Sequence, residues 1–403
     1  MAQINVNLDT ELLQELFTGN SRNKGFSKLM EVLLNQVLEH QATEQLGAKP
    51  YERTDTRQAY RNGYRDRGMQ TRIGSIKLSV PRFRNGEFST ELFSRYQRSE
   101  QALLLGMMEM VINGVSTRKV STITEELCGT SFSKSLVSSL CEKLDPQVQE
   151  FRNRPLDKHY PFVIIDAIYT KSREDKRVRS VGLLIATGVS EEGYREILGF
   201  SVADSESEKS WSSLFSSLKE RGLNNVDYVV SDNHIGLVKA LNKSFQGSTW
   251  QRCQTHFTKN MLDACPNKLK PELKTWLCQM YNSKDMDHAR EIRDKIFIAF
   301  GAAAPKAMKT LDDAFDDVMA IMCLPEKYRK RLRTTNSIER LNQEIRRRER
   351  VIRIFPNRKS VIRLIGALLI EIHEKWTTGK KYLDMEEYYI SINDSKLTIE
   401  KAS

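Results

Sequence analysis

Two apolar runs in this 403-residue chain end in an aspartate: Phe162-Val163-Ile164-Ile165 leads into Asp166, and Tyr228-Val229-Val230-Ser231 leads into Asp232. A carboxylate directly after a buried run is costly unless it meets water, a partner or a metal ion. If the runs are parallel neighbouring strands, the two carboxylates emerge side by side, and a shared divalent cation relieves their repulsion. All-oxygen ligands suit Mg2+ or Mn2+. Each aspartate taken singly also reads as a turn or cap residue at a strand end; their matching contexts favour the metal. A third carboxylate would complete the set, and Glu339 is the best placed, because it opens a helix inside the most basic segment. Asn336-Ser337-Ile338-Glu339 is equally a capping box, an N-cap followed three positions later by Glu, so the pattern leaves both roles open. Glu344 cannot replace Glu339, since five residues carry it about 140° round a helix. Asp157, Asp175 and Asp204 fall in loops and are less constrained.

The elements that would position these groups are legible in part. Apolar residues recur at helical spacing over residues 8–17 and 26–46, which predicts leading helices suited to packing or self-association. A polar, basic loop is expected to about Gly68, followed by the alternating TRIGSIKLSVPRFR, a strand or hairpin. Ser116 can cap TRKVSTITEEL, Gly129 breaks the chain, and Ser133 can cap KSLVSSLCEKL. That order fits a helix-turn-helix whose second member, about 134–144, would enter a major groove, and it fits an ordinary helical hairpin equally well. FVIID, RSVGLLIATG and YREILGFSVA then read as an antiparallel meander, with a helix over 208–221 and a fourth strand at VDYVVSD. A helical crossover of this kind makes the first and fourth strands parallel neighbours. Beyond Cys253 the pattern is helical for about seventy residues, punctuated by Pro271, Pro305 and Pro325, and reads as a separate small lobe before a last helix-rich segment.

Charge is segregated along the chain. The formal net charge is +11, yet residues 329–363 hold thirteen Lys or Arg against three acids, and residues 53–98 hold eleven against four. The remainder is therefore mildly acidic. Tyr60, Tyr64, Phe83, Phe88, Phe93 and Tyr96 interleave with the cations of the first patch, as binding to a phosphate backbone would need. A solvated charged face explains either patch alone, but two in one chain less readily. The longest apolar stretches are too short to span a bilayer, and the start lacks a basic and apolar leader, so an intracellular protein with six reduced cysteines is expected.

FVIIDAIYTK, YVVSDNHIGL, QRCQTHFTKNM and RLRTTNSIERLNQEIRRR, in that order, resemble the Mutator-type transposases of bacterial insertion sequences. RNGYRDRG, SVPRFRNGEF and NGVSTRKVS extend the likeness upstream, so it covers most of the chain. The resemblance implies an α/β fold: an RNase H-like catalytic domain with an all-helical insertion, preceded by a mainly helical DNA-binding region. The implied division is a helical, self-associating region over 1–50, a basic DNA-binding region with the helix-turn-helix over 51–150, the catalytic domain over 151–255 and 331–403, and the insertion over 256–330.

It further implies an Asp-Asp-Glu triad on Asp166, Asp232 and Glu339, holding two Mg2+ ions, one chiefly on Asp166 and Asp232 and one shared by Asp166 and Glu339, with Mn2+ able to substitute, and cutting and joining DNA by two-metal phosphodiester hydrolysis and transesterification. The family's Cys-x-x-His signature falls on Cys253 and His256, counted among the DNA-contacting residues, with His256 expected to meet DNA near the scissile phosphate or to order the edge of the active site; a zinc site there would need two more ligands, and Cys265 and Cys278 are loosely spaced for it. Asn233 and His234 are candidates for supporting Asp232. Arg340, Arg346, Arg347, Arg348 and Arg350 would neutralise phosphates, and Lys134 opens the helix expected in a groove. Terminal inverted repeats and target DNA are the implied partners, with a homodimer or larger assembly in the bacterial cytoplasm, associated with the nucleoid.

Overall fold

A computed structural model describes Leu8, Thr10, Leu92 and residues 22–52, 57–71, 74–84, 88–90, 101–128 and 132–392. The chain forms two compact units, residues 1–143 and 144–403.

In the first unit a long helix, α1 (Arg22–Leu46), lies on a two-stranded antiparallel hairpin, β1 (Arg61–Thr71) and β2 (Gly74–Phe83). The alternation of Ile76, Leu78 and Val80 puts these side chains on one face, where they bury against Leu38 together with Met69. Asn35 and Glu31 of α1 bond to the backbone of Ser79 and Lys77, which satisfies part of an otherwise open strand edge. The helix predicted over 26–46 is therefore present, while that predicted over 8–17 falls almost wholly outside the described residues. The loop predicted up to Gly68 is instead β1. Its sequence hides the strand because Met69 alone is buried among outward polar residues, and pairing with β2 forms it. Three shorter helices follow: α2 (Gln101–Ile112), α3 (Thr117–Cys128) and α4 (Lys134–Cys141). Ser116 accepts the Lys119 N–H and Ser133 accepts the Leu136 N–H, so both expected caps are made.

The second unit is built on a five-stranded mixed sheet in the order β5-β4-β3-β6-β7. It begins with α5 (Asp145–Asn153). Strands β3 (Phe162–Glu174), β4 (Arg177–Val189) and β5 (Arg195–Ala203) form the antiparallel meander. Helix α6 (Glu208–Glu220) crosses to β6 (Tyr228–Ser231), which pairs with β3 in parallel, and α7 (Ile235–Ser244) leads to β7 (Thr249–Arg252), parallel to β6. Val163, Ile165, Leu184 and Leu198 face α6 and α7, burying Trp211, Phe215, Leu218 and Leu237 between the layers. The opposite face receives α13 (Asn336–Ile352) and α14 (Arg358–Thr377). Arg363 of α14 clasps Asp145 of α5 through two hydrogen bonds of 2.6 and 2.8 Å.

Between β7 and α13 runs a helical lobe: α8 (Gln254–Asp263), α9 (Lys270–Tyr281), α10 (Met286–Phe300), α11 (Pro305–Met319) and α12 (Glu326–Leu332). Phe257, Leu277, Ile296, Phe300, Leu311 and Phe315 give it a core of its own. Its entry and exit touch, because the Gln254 N–H donates to the Arg333 carbonyl at 3.0 Å.

The strand predicted to end at Asp166 continues to Glu174. Thr170 and Ser172 sustain the inward alternation, β4 pairs with the whole length, and Phe355 exchanges backbone bonds with Lys171 and Arg173 on the other side. The carboxylate sits mid-strand at the place where β6 has stopped.

Candidate carboxylate site

The parallel register pairs Phe162 with Tyr228, Val163 with Val229 and Ile164 with Val230. Two more steps carry Asp166 beside Asp232. Adjacent strands lie about 4.8 Å apart, so the two aspartates issue from neighbouring backbone, Asp232 just past the end of β6 and Asp166 facing Asn342 of α13. Asp166 is bonded on both oxygens, Oδ1 by its neighbour's N–H (Ala167, 2.9 Å) and Oδ2 by the amide of Asn342 on α13 (2.8 Å). Burial pushes its carboxyl up to about 6; the charge of His256 and the hydrogen bonds from Ala167 and Asn342 pull down, and the charge of Asp232 pushes further up. Asp232 Oδ1 accepts the Asn233 N–H at 2.7 Å.

Glu339 lies in the first turn of α13, on the face that Asn342 presents one turn later. The Asn336 amide, oriented to satisfy its neighbours, donates to Glu339 Oε1 at 3.3 Å, to Oε2 at 3.2 Å and to Thr255 Oγ1 at 3.2 Å. The capping-box alternative is not built. The N-cap is Thr335, not Asn336, and its own N–H is taken by the sulfur of Cys253 at 3.3 Å. With that donor occupied, Glu339 has no cap to reciprocate, and its carboxylate is left for another use.

Residues 253–256 run between the end of β6 and the start of α13. The Cys253 N–H donates to the Ser231 carbonyl at 2.8 Å, directly before Asp232, while the buried sulfur also lies 3.4 Å from the Thr335 hydroxyl. His256 is half-buried and feels both aspartates. The adjacent Cys253 sulfur, opposed by burial and reinforced by Asp232 and Asp166, pushes the imidazole up to about 9, so it is a cation at neutral pH. Burial pushes the Cys253 thiol up, but hydrogen bonding with His256 and Thr335 outweighs it and brings the group below its ordinary value.

The remaining sequence candidates divide by exposure. Arg340, Arg346, Arg347 and Arg350 lie on the outer face of α13 and Lys134 is exposed at the start of α4. Arg348 is turned inward, 3% exposed, and paired with Glu344. Cys253 is 0% exposed, and its sulfur is engaged within the protein rather than offered to DNA. Three consecutive arginines fan about 200° round a helix, so one of Arg346, Arg347 and Arg348 turns to the packed side, which explains Arg348; the Cys253 sulfur is taken by Thr335 from across the chain.

Two groups had no distinguishing signal in sequence. Asn342 is one amide in a polar helix. Glu206, in the turn before α6, has a side chain only 12% exposed, 3.7 Å from His234 Nδ1. Burial pushes its carboxyl up, His234 pulls it down and Asp232 pushes it up again, so it stands beside the second aspartate.

Among the described residues no three His, Cys, Asp or Glu side chains are gathered to hold a metal ion. The fit of a hard cation rests instead on Asp166 and Asp232 in register and on Asn342 Oδ1, a buried oxygen without a hydrogen-bond partner beside them. These are oxygen donors only, with Glu339 one turn away. No helix among the described residues is long and apolar enough to cross a membrane.

Residues 1–379 match the family described as Transposase, Mutator family. The chain is 44% identical to the transposase for insertion sequence element IS256 in transposon Tn4001 of Staphylococcus aureus, over 96% of this chain and 100% of the relative. It is 41% identical to the transposase for insertion sequence element ISRM5 of Rhizobium meliloti, covering 91% and 92% of the two chains. The transposase for insertion sequence element IS1081 of Mycobacterium tuberculosis is 39% identical, over 89% of this chain and 87% of its own.

Proposed function

The chain belongs to the Mutator family of insertion-sequence transposases, and from that premise we propose that it binds the terminal inverted repeats of its element and carries out Mg2+-dependent strand cleavage and strand transfer with Asp166, Asp232 and Glu339. The observation that carries this reading is the register of β3 and β6, which aligns two carboxylates under the helix that bears the third. A central strand flanked by an antiparallel pair on one side and a parallel pair on the other supports an RNase H-like catalytic domain, with the helical lobe as its insertion.

Asp166 and Asp232 would hold Mg2+, or Mn2+ in its place, and Glu339 would join them once its carboxylate leaves Asn336. Metal held there, as a pair of ions, would supply a lowered pKa for an attacking water or 3′-hydroxyl and stabilisation of charge on the leaving oxygen. Asn342 fixes the rotamer of Asp166. Protonated His256 stands at the edge of the carboxylate pair, where it can donate to a non-bridging phosphate oxygen. Arg340, Arg346, Arg347 and Arg350 neutralise neighbouring phosphates along the outer face of α13. In the first unit, Lys134 opens the helix assigned to a DNA groove. Joining two element ends requires at least two copies, so a homodimer or larger assembly is part of the proposal.

The test incubates purified protein and Mg2+ with end-labelled element termini, comparing wild type with Asp232→Asn. Nicked ends in the wild type alone support the reading. Ends cut equally by both proteins overturn it. A pre-cleaved end with a free 3′-hydroxyl separates the two activities: failure to join it reduces the protein to a nuclease.

A further inference from the structure

The hairpin of the first unit carries a site that the carboxylate chemistry does not use. Its β1 strand is irregular: the register with β2 shifts between Arg61 and Tyr64, and Gly63 between them has φ of +72°. Such a bulge re-aims the side chains around it. Here it opens a cavity of about 440 Å³, lined by Tyr51, Tyr60, Tyr64, Arg57 and Arg61 among others. The volume is within the range, about 300–1,000 Å³, of pockets that take small ligands.

Two features of this pocket are not accounted for by the packing of the hairpin. Tyr60 and Tyr64 are 59% and 56% exposed, and Tyr51 is 101% exposed on a backbone with φ of +63°, which a bulky residue rarely adopts. Large rings left in water contribute nothing to a core. The Nε atoms of Arg57 and Arg61 are buried without a hydrogen-bond partner, although a donor left bare in that way is costly. Arg57 also lies over the Tyr60 ring at 5.1 Å. Behind the pocket, Glu39 pairs with Arg61 Nη1 at 2.5 Å and accepts the Tyr64 hydroxyl at 3.0 Å, and the Thr43 hydroxyl accepts from Arg61 Nη2 at 2.8 Å, so Arg61 anchors the hairpin to α1 and Arg57 is left as a cation facing the pocket.

Exposed aromatic faces beside guanidinium donors that lack an acceptor are the chemistry of base stacking plus phosphate binding. We propose that this pocket takes one unpaired nucleotide of a DNA strand, its base against Tyr60 and Tyr64 and its phosphate against Arg57. The inference rests on the reading that the chain acts on DNA. It adds that the first unit reads a frayed or single-stranded position as well as duplex, because a paired base keeps its faces stacked within the helix and offers none to a tyrosine.

Fluorescence anisotropy of the full chain without added metal, on a labelled blunt duplex and on the same duplex carrying a short single-stranded tail, tests it. The tail is expected to tighten binding about tenfold, given the usual strength of base–aromatic stacking. Tyr60→Leu and Arg57→Gln should each remove most of that preference, and Tyr60→Phe should restore it, which a misfolded hairpin could not do. A 2-aminopurine placed in the tail should be quenched by the wild type and not by Tyr60→Leu. Equal affinity for tailed and blunt duplex, or a preference that survives Tyr60→Leu, overturns the proposal. The catalytic reading fails separately: a protein whose Asp232→Asn variant still cuts, while the tail preference stands, loses the triad and keeps the pocket.

Discussion

Asn342 gives Asp166 an amide hydrogen and leaves its own carbonyl oxygen bare. The donated bond favours the ionised carboxylate, opposing the burial that lifts this group to about 6. Only the ionised form can hold a cation, so cleavage is expected to be full above that value and to be lost as pH falls through it. Asn342→Ala removes a bond to a charged acceptor worth about 1.5 kcal/mol, which is about one pH unit. The acid limb of the pH–rate profile should therefore move upward by about that much in the variant, with folding unchanged. An unmoved limb would show that Asn342 is only packing. His256 has the opposite sense: with its imidazole at about 9, it stays a cation across the whole range in which Asp166 titrates.

Helix α13 begins where it does because sulfur, not a side-chain oxygen, receives the Thr335 N–H. Cys253→Ala should strand that buried donor at a cost of about 1–3 kcal/mol, lowering the urea midpoint and speeding hydrogen exchange at Thr335. Cys253→Ser keeps an acceptor and should recover most of the loss. The opposite face of the sheet has its own constraint at Gly236 in α7, where an added Cβ would stand 2.7 Å from the Glu208 nitrogen and 2.9 Å from the Ser207 carbonyl carbon. Backbone cannot yield as a side chain does, so Gly236→Ala is expected to cost about 1–3 kcal/mol despite alanine's better helix propensity, and a melting curve would show it.

How far such elements were legible depended on how strongly burial marked the sequence. FVIID and YVVSD announced their strands because both faces are covered, and their aspartates stood out against apolar neighbours. β1 carried no such mark, since its partner and α1 supply the hydrophobic side of the hairpin. The extension of β3 past Asp166 was hidden by polar residues that bury their short side chains, Thr170 and Ser172. Asn342 and Glu206 gave no signal because their place beside the carboxylates comes from tertiary packing, and the Asn336 motif pointed to a cap that Cys253 had already supplied from across the chain.

Charge belongs to the chain as a whole. A net +11 spread evenly would give weak, diffuse attraction; concentrated on one exposed helical face of the second unit and on the hairpin of the first, it makes local sites. Each phosphate contact contributes about 0.9 to the slope of log affinity against log salt on duplex DNA. The double variant Arg346→Gln, Arg350→Gln should thus lower that slope by about 2, uniformly across sequences, whereas Arg348→Gln, which alters an internal pair with Glu344, should leave the slope nearly unchanged and lower the melting temperature instead. An equal effect of both would mean that α13 does not lie along the phosphates.

The touching ends of the helical lobe make it a doorway rather than a link: the polypeptide leaves at Gln254 and returns at Arg333 through a single backbone hydrogen bond. Lengthening or trimming what hangs beyond that threshold changes the closure entropy only logarithmically. A longer or shorter excursion there would therefore cost little in closure, while Val318 on Gln251 and Tyr328 against Phe162 keep the near end of the lobe on the sheet.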